Sequence, residues 1–188
     1  MGTNQLTWFN QLTARAAQQT LLDCCSARAW AEPMAAGRPY ASAEDAIRRS
    51  GAIVAELSVA DLAEALAGHP RIGERPDTNH GSANHGSASQ EGASQEGAGA
   101  ADWSRQEQSG VDAGDTATKR ALAEANLEYE QRFGHIYLVC ASGRTGTELL
   151  ALLRGRLQNE PEDEWQVVRT ELQKINALRL HRLLAGVA

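Results

Sequence analysis

The chain has 188 residues, a length that fits one domain, and its hydrophobic share of 42% is enough for a core. Its formal net charge of -6 argues against the clustered basic footprint of a nucleic-acid-binding protein. No run approaches the roughly 18 apolar residues that a membrane span needs. The opening Met1-Gly2-Thr3-Asn4-Gln5 lacks the basic-then-apolar pattern of a secretory signal. Three cysteines, Cys24, Cys25 and Cys140, form an odd set that suits a reducing compartment, and no Cys/His spacing matches a zinc site. The expectation is a cytosolic protein without a metal.

Thr13 can cap a run through Cys25 whose apolar residues Ala17, Leu21, Leu22 and Cys25 recur at helical spacing. Ser26 to Met34 continues as a short helix that ends near the turn Gly37-Arg38-Pro39. Ser42 opens the next helix, with Glu44 and Asp45 in a first turn where negative charge suits the dipole. Ser58 with Asp61 resembles a capping box and starts an amphipathic run from Val59 to Ala67. That helix should stop at Gly68, where a glycine takes the left-handed conformation cheaply. Pro70 cannot continue it and pushes His69 toward an extended conformation. An imidazole whose proton moves readily near neutral pH thus sits on a stiff turn. A helix-terminating turn with an incidental histidine accounts for the same pattern.

Composition changes abruptly after that turn. Asn79-His80-Gly81-Ser82-Ala83 is repeated once, and Ser89-Gln90-Glu91-Gly92-Ala93 is repeated once. With no large apolar side chain this stretch cannot repay its ordering entropy, and it reads as a linker; His80 and His85 have no further ligands nearby. Next comes Trp103-Ser104-Arg105-Gln106-Glu107-Gln108. On a helix Ser104, Glu107 and Gln108 share a face, and the same spacing also suits a plain surface cap with Ser104 at its start.

Thr116 to Phe133 reads as a long helix stopped by Gly134. Ile136-Tyr137-Leu138-Val139-Cys140 is the most strand-like run, but it has no evident partner and reads as a buried extended connector or the start of a helix. Ser142-Gly143-Arg144-Thr145-Gly146 lacks the spacing of a phosphate loop and reads as a turn before a helix from Thr147 to Gln158. Asn159-Glu160-Pro161 breaks that helix. The last one, from about Glu162 to Leu184, carries Trp165, Val168, Leu172, Ile175, Leu178 and Leu183 as an apolar stripe. Arg179 and Arg182 lie near its end, where either could also be a snorkelling surface side chain. With no βαβ alternation the architecture reads as all-α.

His69-Pro70, the Ser104/Glu107/Gln108 face and the ending Ile175-Asn176-Ala177-Leu178-Arg179-Leu180 form an ordered set. With Cys24-Cys25, Arg28-Ala29-Trp30-Ala31, Arg38-Pro39-Tyr40, Phe133-Gly134 and Arg156-Leu157-Gln158-Asn159, this set resembles the 2-oxo-4-hydroxy-4-carboxy-5-ureidoimidazoline (OHCU) decarboxylase family. The likeness covers nearly the whole chain except residues 76–101. It implies one all-α, single-domain bundle of about eight or nine helices over residues 1–188, with a flexible low-complexity insert at about 76–101. It also implies a cofactor-free, homodimeric carboxy-lyase that yields (S)-allantoin from its ureidoimidazoline substrate in urate breakdown.

Carried over residue by residue, the likeness makes His69, Glu107 and Arg179 catalytic. Pro70, Ser104, Gln108 and the main chain of Ile136, Tyr137 and Leu138 become substrate contacts. Arg71 is a rival to Arg179 for the substrate carboxylate. His135 departs from a position that is often Phe. Because the substrate's own C5=N imine can accept the electron pair released with carbon dioxide, no organic cofactor or metal is expected. A histidine whose pKa lies near the working pH would suit the proton shuttle. Two other readings stand beside this one: a non-catalytic helical interaction module with an exposed apolar groove and no buried His–Glu pair, and a lyase or hydrolase acting on another ureide.

Overall fold

The computed structural model describes residues 5–73, 103, 107 and 115–185. The described residues form eight helices and no strands: α1 (Gln5–Gln11), α2 (Ala14–Cys24), α3 (Arg28–Ala36), α4 (Ala43–Glu56), α5 (Val59–Ala67), α6 (Thr116–Phe133), α7 (Gly146–Arg156) and α8 (Pro161–Ala185). Trp103 and Glu107 are helical as well. The all-α expectation therefore holds. Residues 76–101, where an insert was expected, lie outside the described residues.

Local side-chain chemistry starts most of these helices. The hydroxyls of Thr13, Ser42 and Ser58 accept from the main-chain N–H groups of Ala16, Asp45 and Asp61, as their spacing predicts. Ser58 and Asp61 complete a reciprocal capping box despite the shorter acid. A second box, Thr145 with Glu148, starts α7 one residue before the predicted Thr147. Gly134 closes α6 in the left-handed region at φ 75°, which favours glycine.

Gly68 ends α5 for a different reason than expected. Its φ of -91° is open to any residue. A Cβ there, however, would stand 1.8 Å from the Ser26 hydroxyl oxygen and 2.8 Å from the Ser26 Cβ. Glycine is required because the end of α5 touches the loop between α2 and α3.

Packing produces two apolar clusters. The larger joins Phe9, Leu21, Trp30, Met34, Val54 and Leu62 to Val168, Leu172 and Leu180 of α8. The smaller joins Leu122 and Tyr129 of α6 to Leu149 and Leu153 of α7, together with Ile72, Tyr137 and Val139. Helix α8 packs against α1, α2, α4 and α5, which makes it the spine of the first cluster. Its buried face is consequently broader than the predicted stripe. Leu180 and Leu184 are buried with the polar Glu164, Glu171, Asn176 and Arg179, whereas Leu178 and Leu183 are only half-buried.

The predicted strand-like run is an extended connector after all. Leu138 sends its side chain into the first cluster, while Tyr137 and Val139 send theirs into the second. That alternation is the period-two geometry of extended chain. The connector thus runs along the boundary between the two cores.

The close approach at Gly68 gives a direct stability test. Gly68→Ala should destabilise the fold by about 1–3 kcal/mol through overpacking. Adding Ser26→Gly, which removes both clashing atoms, should recover at least about 1 kcal/mol of that loss in a double-mutant cycle read by urea denaturation.

Candidate active site

Helix α5 delivers His69 to the cluster boundary, and main-chain bonds from His69 N to the Leu66 carbonyl (3.0 Å) and from Gly68 N to the Ala65 carbonyl (3.3 Å) close its last turn. The ring is fixed too, because Nδ1 lies 2.8 Å from the Ala65 carbonyl oxygen. A carbonyl only accepts, so Nδ1 carries the proton and Nε2 presents its lone pair. Nε2 lies 3.4 Å from Nη1 of Arg179.

Arg179 is not a snorkelling surface side chain; it is 3% exposed. Its fork grips Glu107 through Nε to Oε1 (3.1 Å) and Nη2 to Oε2 (2.9 Å). Nη1 also donates to the Cys24 carbonyl at 2.9 Å, satisfying a main-chain acceptor at the end of α2. Arg182, one turn further along α8, donates from Nη1 to Glu107 Oε1 at 3.2 Å. Glu107 is therefore a buried carboxylate held by two guanidinium groups rather than the acid of a surface cap. Oε1 takes two donors and Oε2 takes one, which leaves Oε2 room for a further donor.

His69, Glu107 and Arg179 share one cleft. Pro70, Ile72 and Ile175 supply apolar wall, and the connector contributes Tyr137, Leu138 and Val139. One expected residue, Ile136, does not join this lining. Ile136 packs against the first cluster, and its carbonyl oxygen lies 3.0 Å from Nδ1 of His135. Ser104 and Gln108 lie outside the described residues. Arg71, the rival cation, forms a fork pair with Glu130 of α6 (Nη2 to Oε2, 2.7 Å), which fastens the histidine loop to that helix. Asn126 of α6 reinforces the junction by donating to the Ile72 carbonyl at 2.9 Å.

Sequence reasoning missed Arg182, Ile72, Val139 and Ile175. For Arg182 a signal existed: it stands three residues after Arg179 and so shares its helix face. The others are apolar positions that look like any core residue.

The expected match between the histidine pKa and the working pH fails. Burial, first, and the Arg179 guanidinium, second, press His69 down from the ordinary 6.5 to about 4, and the bond to the Ala65 carbonyl only partly opposes them. At neutral pH the imidazole is uncharged, and its Nε2 lone pair faces Nη1 of Arg179.

Comparison with known proteins shows what this chain is similar to. The family model described as OHCU decarboxylase matches residues 10–181. The uric acid degradation bifunctional protein TTL of Arabidopsis thaliana is 31% identical over 169 residues, covering 88% of this chain and 46% of the plant protein. The chain thus spans less than half the length of that relative. The 2-oxo-4-hydroxy-4-carboxy-5-ureidoimidazoline decarboxylase of Amia calva is 31% identical over 151 residues, covering 79% of this chain and 75% of the fish protein. A crystal structure of an OHCU decarboxylase in the presence of (S)-allantoin superposes with a TM-score of 0.69 at 26% identity, covering 88% of this chain and 97% of the other.

The protonation state of His69 can be read by ¹⁵N NMR. Between pH 6 and 7 the ring should be the neutral, Nδ1-protonated tautomer, with a midpoint near 4 rather than near 6.5.

Proposed function

Because the chain belongs to the OHCU decarboxylase family, we propose that its cleft decarboxylates 2-oxo-4-hydroxy-4-carboxy-5-ureidoimidazoline to (S)-allantoin in urate breakdown. The observation that carries this reading is the lone pair of His69 Nε2 beside the Arg179–Glu107 pair, within one cleft.

The reaction balances without an added electron acceptor. The bond from C4 to the carboxylate breaks, and its electron pair forms a C4=C5 double bond. The former imine pair moves onto the ring nitrogen. The C4 hydroxyl of this enol then gives up its proton, while the ring nitrogen and C5 each gain one, so one proton is taken up overall. Addition at C5 on a single face fixes the hand of the product.

His69 Nε2 is the group that receives the hydroxyl proton. Its low pKa is compatible with that task, because a substrate carboxylate brought close favours the charged imidazolium and raises the pKa. Among the described residues two arginines face one glutamate beside a neutral histidine, a balance that suits an anionic substrate. Glu107 Oε2 has capacity for one N–H donor of the ureido group or ring. Arg179 braces that carboxylate and faces the His69 imidazole through Nη1.

A grip on the carboxylate that is equal before and during cleavage would lower KM without raising kcat. Arg179 therefore serves best on charge that survives or develops, such as a ring carbonyl. A non-catalytic interaction module would have no use for a buried Glu107 fixed by two arginines. A homodimeric, cytosolic protein is part of this proposal. In support, all three cysteines are free thiols. No described helix is long and apolar enough to cross a membrane.

The direct test is circular dichroism during enzymatic oxidation of urate, with and without the protein. Faster appearance of one-handed allantoin is expected; unchanged decay to both hands would sink the reading. His69→Asn should lower turnover by about 10²- to 10⁴-fold while thermal unfolding stays near that of the wild type. Arg179→Lys should lose at least about tenfold in kcat/KM even where it folds, because an ammonium cannot supply both donors to the Glu107 carboxylate and a third to Cys24.

A further inference from the structure

The connector Ile136–Cys140 presents an unusual accounting of main-chain hydrogen bonds. It is extended and buried, yet no strand lies beside it among the described residues. Side chains fill the partner's place along one edge only. Arg156, at the end of α7, donates from Nη1 to the Leu138 carbonyl at 2.6 Å. Glu171, on α8, accepts from the Cys140 N–H through Oε2 at 2.8 Å. In extended chain the carbonyl of one residue and the N–H two residues later face the same edge, so these side chains act as a surrogate strand.

Both side chains are themselves held. Arg156 is 8% exposed and pairs with Glu164 (Nε to Oε1, 2.7 Å) and with the Tyr129 hydroxyl (Nη2, 3.2 Å). Glu171 is 7% exposed and accepts from Lys174 through Oε1 at 2.6 Å. Neither lines the cleft.

The opposite edge carries the N–H and C=O groups of Tyr137 and Val139, which make no hydrogen bond among the described residues. Tyr137, Leu138 and Val139 all line the cleft, and the edge that the two clamps leave unbonded belongs to Tyr137 and Val139.

We infer that Arg156 and Glu171 are positioning residues, which clamp the connector from behind so that the Tyr137 and Val139 main chain stands rigid as a row of donors and acceptors for the amide-like edge of the substrate. The inference rests on the decarboxylase reading. The row already meets that edge in the ground state, so most of its contribution is made to binding. Loosening it should raise KM and leave kcat alone. A role confined to holding the fold would instead reduce the active fraction and leave KM unchanged.

The test uses two substitutions at the less charge-critical clamp. Glu171→Gln keeps an oxygen for the Cys140 N–H, whereas Glu171→Met keeps the shape and removes the acceptor. Met should raise KM about tenfold with kcat within about threefold, and Gln should stay within about twofold of the wild type on both. A KM within about twofold for Met, or equal damage from Gln and Met, would overturn the inference. An independent arm uses the unmutated protein. Saturating (S)-allantoin should slow amide hydrogen exchange at Tyr137 and Val139, and unchanged exchange there would also overturn it. Wild-type protein without turnover would sink the decarboxylase reading itself, whereas active wild type with an indifferent Met variant sinks this inference alone.

Discussion

The buried pair between Arg179 and Glu107 is the constraint from which the site follows. Two charges taken out of water are costly, and an ion pair of this kind is weak evidence for stability. What it secures is position. The guanidinium plane fixes both oxygens of the carboxylate, ties the end of α2 through Cys24, and faces the imidazole, all from one side chain. Removing Glu107 would leave Arg179 buried without its carboxylate, a penalty of about 3–5 kcal/mol. The arrangement therefore resists drift at any single corner.

Where the cleft sits follows from the packing of the helices. One cluster gathers around α8 and the other around α6 and α7, with the connector between them. A boundary between two cores is a natural place for main chain to remain available, because neither core can supply a continuous strand to cover it. Arg71 with Glu130, and Asn126 with Ile72, fasten the histidine loop to α6, so the two halves close on the cleft from opposite sides.

Much of this was legible in the chain. Thr13, Ser42 and Ser58 announced their helices because capping is local chemistry, confined to three or four residues. His69, Glu107 and Arg179 were legible only as an ordered set, since no short motif among them is specific. Their meeting was not legible: Arg179 and Glu107 are 72 residues apart, and Arg179 and Cys24 are 155 apart. Gly68 illustrates the limit in another form. The residue and the helix end were read correctly, but the cause is a contact with Ser26, which no local rule contains. The low pKa of His69 was likewise out of reach, because it depends on burial and on a cation from the far end of the chain.

The bond from Arg179 to Cys24 ends on a carbonyl, as the bond from Arg156 to Leu138 does. A carbonyl is common to all residue types, so substitution at either place leaves the acceptor standing wherever the new side chain fits its hollow. Descent can rewrite such positions freely while the machinery survives intact. Aligned letters will then look unremarkable at places where the backbone itself is the working part.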